Sequence, residues 1–326
     1  MSLLLRQPRV LRKALIACCA VLLLALPKTA AGQSVPTQVV VFGDSLSDTG
    51  NGFVFVGTSS TPPDYGMNQL LIPDAPYARG GHHLTNGATW IEQLVRPRGL
   101  ARSARPAFGS SSPYAMNFAI GTARARDDGQ NPSLALEIGA FLQKTGFVAP
   151  SDALYVIQIG GNDVRDAGAT GDPVQGAMIL QAAITSIASA IQTLYAAGAR
   201  NFLVWSVPDA GLTPLAQFLE TLIPGTIAAA SLATTTFNAG LSAALAPLAA
   251  LPGINLVPFD AYTLINTIVA APGAFGLTNV TDACVTPNVA PFACQNPDDY
   301  LFWDGIHPTA AAHAIVAQAV ALLLGI

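Results

Sequence analysis

Lysine is nearly absent from this chain: beyond residue 32 the only one is Lys144. Over that span ten Lys and Arg face nineteen Asp and Glu, a balance of −9. Nucleic acid needs a basic face to meet its phosphates, so this deficit argues against it as a partner. Cysteine is as scarce, with Cys18 and Cys19 near one end and Cys284 and Cys294 near the other. There is no Gly-x-Ser-x-Gly elbow, which argues against an α/β-hydrolase. A His-Glu-x-x-His zinc motif and a P-loop are missing too. Nor is there an internal repeat or a linker that would divide the chain. Charged residues make up only 10%, yet 51% are hydrophobic, the balance of a globular chain and not of a disordered one.

The beginning reads as an export leader. Arg6, Arg9, Arg12 and Lys13 precede an apolar run over residues 14–26. Pro27 and the small residues Ala30-Ala31-Gly32 then predict cleavage before Gln33. The run is short for a membrane span, and no later segment reads better. The expectation is a signal peptide over 1–32, a single domain over 33–326, and a mature chain in the periplasm or outside the cell. Cys18 and Cys19 leave with the leader. Cys284 and Cys294 are then an even pair in an exported protein, which predicts a disulfide.

Along the chain, apolar β-branched runs alternate with helical periods. Strands are expected at 39–42, 116–120, 153–159, 202–207 and 254–259. Helices are expected at 86–94, 134–144, 173–198, 228–248 and 308–324, with Pro173 and Pro308 as first helical residues. Residues 52–80 read as a long loop in which Phe53, Val54, Phe55, Val56, Tyr65 and Met67 either line a pocket or pack the loop itself. Residues 271–302 are irregular. This alternation predicts a parallel sheet covered on both faces.

The chemistry-bearing residues stand where such strands end. In open α/β sheets ligands sit at the carboxyl ends of strands. Ser45 follows Val39-Val40-Val41-Phe42-Gly43-Asp44, Gly121 follows Asn117-Phe118-Ala119-Ile120, and Asn162 follows the strand through Ile159. Asp304 and His307 lie three apart, just before the last helix. Acyl transfer needs a nucleophile, a base, a group that orients the base, and donors for an oxyanion. Ser45, His307 and Asp304 suit the first three roles. The N–H groups of Ser45 and Gly121 and the amide of Asn162 suit the last. Singly, each residue is as well read as a turn, cap or surface position. Their joint order gives the reading its weight. His82-His83 are adjacent and in extended chain point apart, a poor arrangement for chelation, so no metal and no cofactor is expected.

Four blocks carry a resemblance: Gly43-Asp44-Ser45-Leu46-Ser47-Asp48-Thr49-Gly50-Asn51, Asn117-Phe118-Ala119-Ile120-Gly121, Ile159-Gly160-Gly161-Asn162-Asp163 and Trp303-Asp304-Gly305-Ile306-His307-Pro308-Thr309. In this order they resemble the GDSL (SGNH-hydrolase) esterases and lipases, over essentially the whole chain beyond the leader. The segments Pro76-Tyr77-Ala78 and Asn86-Gly87-Ala88-Thr89-Trp90 add to the likeness. The resemblance implies a three-layer flavodoxin-like α/β fold with a central parallel sheet. It also implies Ser45 as nucleophile, His307 and Asp304 as base and partner, and Ser45, Gly121 and Asn162 in the oxyanion hole. Thr122 departs from the pattern, since a second glycine often stands there, and it narrows that corner. Gly81-His82-His83-Leu84-Thr85 departs as well, and no role is carried onto it. The implied activity is hydrolysis of acyl esters, of lipids or other small molecules, through an acyl-enzyme. Two alternatives stay open: a carbohydrate acetyl-esterase on the same fold, and a non-catalytic binding module.

Overall fold

Alternation along three short strands decides the architecture. In β1 (Val39–Gly43), Val40 and Phe42 point to one side of the sheet and Val39 and Val41 to the other. The same division separates Tyr155 and Ile157 from Leu154 and Val156 in β2 (Leu154–Gln158), and Phe202 and Val204 from Leu203 and Trp205 in β3 (Asn201–Trp205). Both sides are apolar because both are covered, as a parallel sheet requires. β4 (Asn255–Phe259) completes the order β1-β2-β3-β4, every pair parallel. Pro258, which has no N–H for a ladder, is tolerated because β4 is an edge.

The computed structural model describes residues 36–56, 83–285 and 293–326, without the side chains of Phe53 and Val56. The expected leader, Tyr65, Met67, Pro76-Tyr77-Ala78 and His82 lie outside these residues.

One face of the sheet is packed by α3 (Leu134–Lys144), α4 (Gly161–Ala169), α5 (Pro173–Ala196) and α7 (Thr226–Leu248), following α1 (Asn51–Val56) and α2 (Trp90–Val95) in the chain. The other face is packed by α2 and by α9 (Ala310–Leu324). Between them in sequence lie α6 (Pro214–Leu222) and α8 (Ala261–Ala270). Helix, sheet and helix therefore form three layers. Burying each large apolar side chain, such as Phe42, Phe118, Phe141 or Trp90, contributes about 2–3 kcal/mol to holding them together. The long helix α5 is apolar enough to cross a membrane by length and composition, but Leu180, Ile184, Ile187, Ile191 and Leu194 are buried within the fold.

Several elements differ from expectation. Residues 116–120 run beside β1, with Val41 N–H donating to Met116 O (2.9 Å) and Phe118 N–H to Val41 O (2.7 Å). They make only isolated bridges, Asn117 to Val41 and to Pro106, and not a fifth strand. Helix α2 begins at Trp90 behind the cap Thr89, not at 86; Asn86 instead accepts the N–H of Ala310 at 2.6 Å. Helix α9 begins at Ala310 with Thr309 as its cap, so Pro308 precedes the helix. Within 271–302 the short strands β5 (Asn279–Ala283) and β6 (Tyr300–Phe302) pair, and Cys284 is disulfide-bonded to Cys294.

Candidate active site

β1 hands the chain to a tight turn at Gly43, where a Cβ would lie 2.3 Å from the carbonyl of Gln158. Only glycine lets the two strands end this close together. Asp44 then organises the turn: its backbone carbonyl accepts the N–H groups of Ser47 and Asp48 (both 3.1 Å), and its Oδ1 accepts that of Leu46 (3.1 Å). Gln158 bridges across, donating to Asp44 Oδ1 at 2.9 Å and accepting the Ser47 hydroxyl at 2.6 Å. Trp90 Nε1–H donates to Ser47 Oγ at 2.9 Å, tying the turn to α2. Burial pushes the Asp44 carboxyl up, while the Gln158 and Leu46 bonds oppose that. Ser45, half-buried, is left at the crest.

Against Ser45 stands the loop before α9. His307 Nε2 lies 2.9 Å from Ser45 Oγ, and His307 Nδ1 lies 2.6 Å from Asp304 Oδ2. Asp304 is fully buried, and its Oδ1 accepts the N–H groups of Ile306 (2.8 Å) and His307 (2.7 Å). The loop is braced from the 85–93 segment: Thr85 donates to Pro308 O (2.7 Å) and Gln93 to Ala310 O (2.9 Å). A hydroxyl, an imidazole and a carboxylate thus stand in one hydrogen-bonded line, an arrangement that can deprotonate the hydroxyl.

The third wall is a turn. Ala123 N–H donates to Ile120 O at 3.0 Å, so Gly121 and Thr122 are its central residues. Thr122 has φ +70, a left-handed conformation that β-branched residues rarely adopt. Positive φ at the second central residue belongs to a turn that ordinarily carries glycine there. Gly121 N–H donates to Asp48 Oδ2 at 2.6 Å, so it points into the fold. Asp48 accepts three more N–H groups, from Gly50 (2.7 Å), Asn51 (2.6 Å) and Gly52 (2.7 Å). The Thr122 N–H donates to no group among the described residues. Asn162, in the first turn of α4, gives one amide hydrogen to Ala123 O at 2.9 Å and keeps the other. That helix end carries a partial positive charge suited to an anion.

The comparisons with known proteins extend this likeness. A model of the GDSL-like lipase/acylhydrolase family matches residues 39–320. The chain belongs to that family. Membership places it among carboxylic ester hydrolases and its three layers within the SGNH fold. It is 30% identical to esterase EstA of Pseudomonas aeruginosa over 95% of this chain and 50% of that one. It is 26% identical to the thermolabile hemolysin of Vibrio parahaemolyticus, over 86% of this chain and 62% of the relative. Against the GDSL esterase/lipase LIP-4 of Arabidopsis thaliana it is 25% identical, over 92% and 90%. The chain therefore spans half the length of EstA and under two thirds of the hemolysin.

Residues in and around the family blocks hold the frame of this GDSL hydrolase. Asp163 accepts Ala125 N–H (2.8 Å) and pairs with Arg126 (2.7 Å), whose other nitrogen meets Asp166 at 2.7 Å. Arg124 grips Asp166 with two bonds of 3.0 Å, so the segment after Thr122 is fastened to α4 beneath Asn162. His83 pairs with Glu92 at 2.8 Å. Beside α1 a cleft of about 700 Å³ is lined by residues that include Phe55, Phe108, Leu136 and Ala140, with Phe55 edge-on to Phe108. Sequence reasoning passed over Asp48, Gln158 and Glu137. Gln158 was legible as the one polar residue in its strand, and Glu137 as a charge on an apolar helical stripe with Leu134, Ile138 and Phe141.

Proposed function

We propose that this chain is an exported serine esterase that cleaves acyl esters through a covalent acyl-enzyme. The observation that carries the reading is the 2.9 Å contact of His307 Nε2 with Ser45 Oγ. Ser45 Oγ attacks the ester carbonyl while His307 Nε2 takes its proton. Asp304 holds the imidazole through Nδ1 and stabilises its positive charge. His307 then gives the proton to the departing alcohol, and the acyl group stays on Ser45. Water, deprotonated by His307 in turn, releases the acid and regenerates Ser45. The substrate oxygen that becomes negative would be met by Ser45 N–H, by the remaining amide hydrogen of Asn162, and by the Gly121-Thr122 turn. Because Gly121 N–H is held by Asp48, the turn's free donor is that of Thr122.

The exposed apolar side chains of α1, Val54 and Phe55, support an acyl group of some length in preference to an acetylated sugar. The disulfide supports an oxidising compartment and so the export that the basic and apolar leader suggests. The test is hydrolysis of acyl esters of two to sixteen carbons, with an acetylated sugar alongside, by wild type and Ser45→Ala. Loss of a nucleophile removes several orders of magnitude of rate, leaving about 10³–10⁴ over water. Folded Ser45→Ala with a tenth of wild-type activity would overturn the nucleophile. Preference for the acetylated sugar would favour the deacetylase reading.

A further inference from the structure

Beneath the turn that carries Ser45 lies a buried carboxyl with no cation beside it among the described residues. Glu137 is fully buried, on the apolar stripe of α3 that faces β1. Its Oε2 accepts the N–H of Gly43 at 2.8 Å, and its Oε1 has no partner among the described residues. The charged groups that bear on it are Asp44 and Asp48, both of its own sign.

The three carboxyls are supplied unequally. Asp48 accepts four N–H groups, Asp44 accepts Leu46 N–H and the Gln158 amide, and Glu137 accepts one N–H. An ionised carboxylate offers about four lone-pair sites and, when buried, needs donors for them. Like charges in one apolar site do not all ionise, and the proton settles on the group with fewest donors. That group is Glu137.

Its place matters for chemistry. Gly43 is the last residue before Asp44-Ser45, and its carbonyl accepts Ile120 N–H at 3.0 Å. Ile120 in turn opens the Gly121-Thr122 turn. One carboxyl therefore supports the strand end from which the nucleophile departs, which is bonded to the start of the oxyanion turn. We propose that Glu137 is a positioning residue acting as a neutral carboxylic acid, which fixes Gly43 while adding no negative charge beneath Ser45. The proposal rests on the reading of Ser45 as nucleophile. Burial, reinforced by Asp44 and Asp48 and opposed by the backbone N–H groups of Gly43 and Ile120, holds the carboxyl well above the usual carboxylate range. A carboxylic acid kept neutral by an apolar site is an established device. Ionisation would set a fixed negative charge against the one that develops on the substrate oxygen, so turnover falls and substrate binding does not.

Glu137→Gln keeps a carbonyl oxygen for Gly43 N–H and cannot ionise. Turnover of a soluble acyl ester, followed by pH-stat against pH, is expected to fall reversibly on the alkaline side in wild type. Glu137→Gln should keep neutral-pH turnover within about threefold and lack that fall. Glu137→Ala, which leaves the N–H of Gly43 unpaired, should lose turnover at every pH. In the infrared, wild type at neutral pH should show a protonated carboxyl band that Glu137→Gln lacks. Three results overturn the proposal: a folded Gln variant at least tenfold slower at neutral pH, an alkaline fall shared by both proteins, or no such band. If Ser45→Ala is as active as wild type, the reading of Ser45 as nucleophile fails, and the infrared band still decides the state of Glu137.

Discussion

Both carboxylate oxygens of Asp304 serve one residue: Oδ2 meets His307 Nδ1 at 2.6 Å, and Oδ1 accepts the backbone N–H of that same histidine at 2.7 Å. The contact fixes the ring's position and its tautomer together, since a carboxylate at Nδ1 requires the proton there and leaves Nε2 as the acceptor. Asp304→Asn cannot do both. Its amide can present a donor to Nδ1 and so favour the wrong tautomer, which in a comparable triad costs about 10⁴ in kcat. The expected outcome is a loss of that order with KM little changed. A fully active, folded variant would require another acid to orient His307. Asp163 is poorly placed for that role, since it is held by Arg126 and Ala125.

A second prediction concerns Asn162, whose amide has one hydrogen on Ala123 O and one to offer. If the free hydrogen meets charge that exists only in the transition state, Asn162→Ala should lower kcat by roughly 10²–10³ and spare KM. Steady-state kinetics separates the cases. A raised KM with normal kcat would make Asn162 a binding residue, and a drop in melting temperature alone would make it a strut for the Thr122 turn.

How far the sequence announced this site depends on what each residue does. β1, β2 and β3 were legible because both their faces are buried and so read as continuous apolar runs. The segments that bring Ser45, Asp304 and His307 together were legible because each is short and continuous. What escaped is what depends on approach between distant segments. Nothing in the residue types says that Asp48 reaches across to Gly121 N–H, so the glycine named as a donor is found already engaged, while the N–H of Thr122 next to it has no partner among the described residues. α4 escaped because Gly160-Gly161-Asn162-Asp163 reads as a turn. Gly160 does adopt φ +123, where a Cβ would lie 2.6 Å from Phe237, but a helix starts directly after it.

Acid stability offers a third test. His313 is buried in α9, and burial, helped by His307 and His83, holds its imidazole down at about 3. The unfolded chain takes up a proton near 6.5, the ordinary value for histidine. Below that pH the unfolded state therefore binds more protons than the folded one. Stability is complete above about 6.5 and falls as pH drops towards 3, by about 1.4 kcal/mol per unit at most from this group. His313→Leu should flatten that slope. Urea unfolding midpoints measured at several pH values between 7 and 4.5 would show it. Equal slopes for both proteins would assign the acid sensitivity to other groups.

The disulfide is the remaining link between fold and site. Cys284 N–H donates to Phe302 O (3.0 Å) and Val285 N–H to Trp303 O (2.9 Å), while Trp303 N–H donates to His307 O (2.7 Å). The bridge is thus two backbone steps from the loop that carries Asp304 and His307. Cys294 N–H also donates to Cys284 O at 2.7 Å, and Cys284, Val285 and Trp303 form their own small apolar cluster. Closing so short a loop stabilises the fold by about 2–3 kcal/mol in the chain-entropy picture. Its local effect should be larger in rate, because a shift of about 1 Å in a catalytic group can cost on the order of 10²-fold. The Cys284→Ser/Cys294→Ser double variant should therefore lose turnover at temperatures where circular dichroism still reports a folded chain. Mass spectrometry first establishes that the wild type is oxidised, and free thiols there would end the argument. Activity that falls only in step with unfolding would reduce the bridge to a brace for its own segment, with Asp304 and His307 held in register by the 85–93 segment and Thr309 alone.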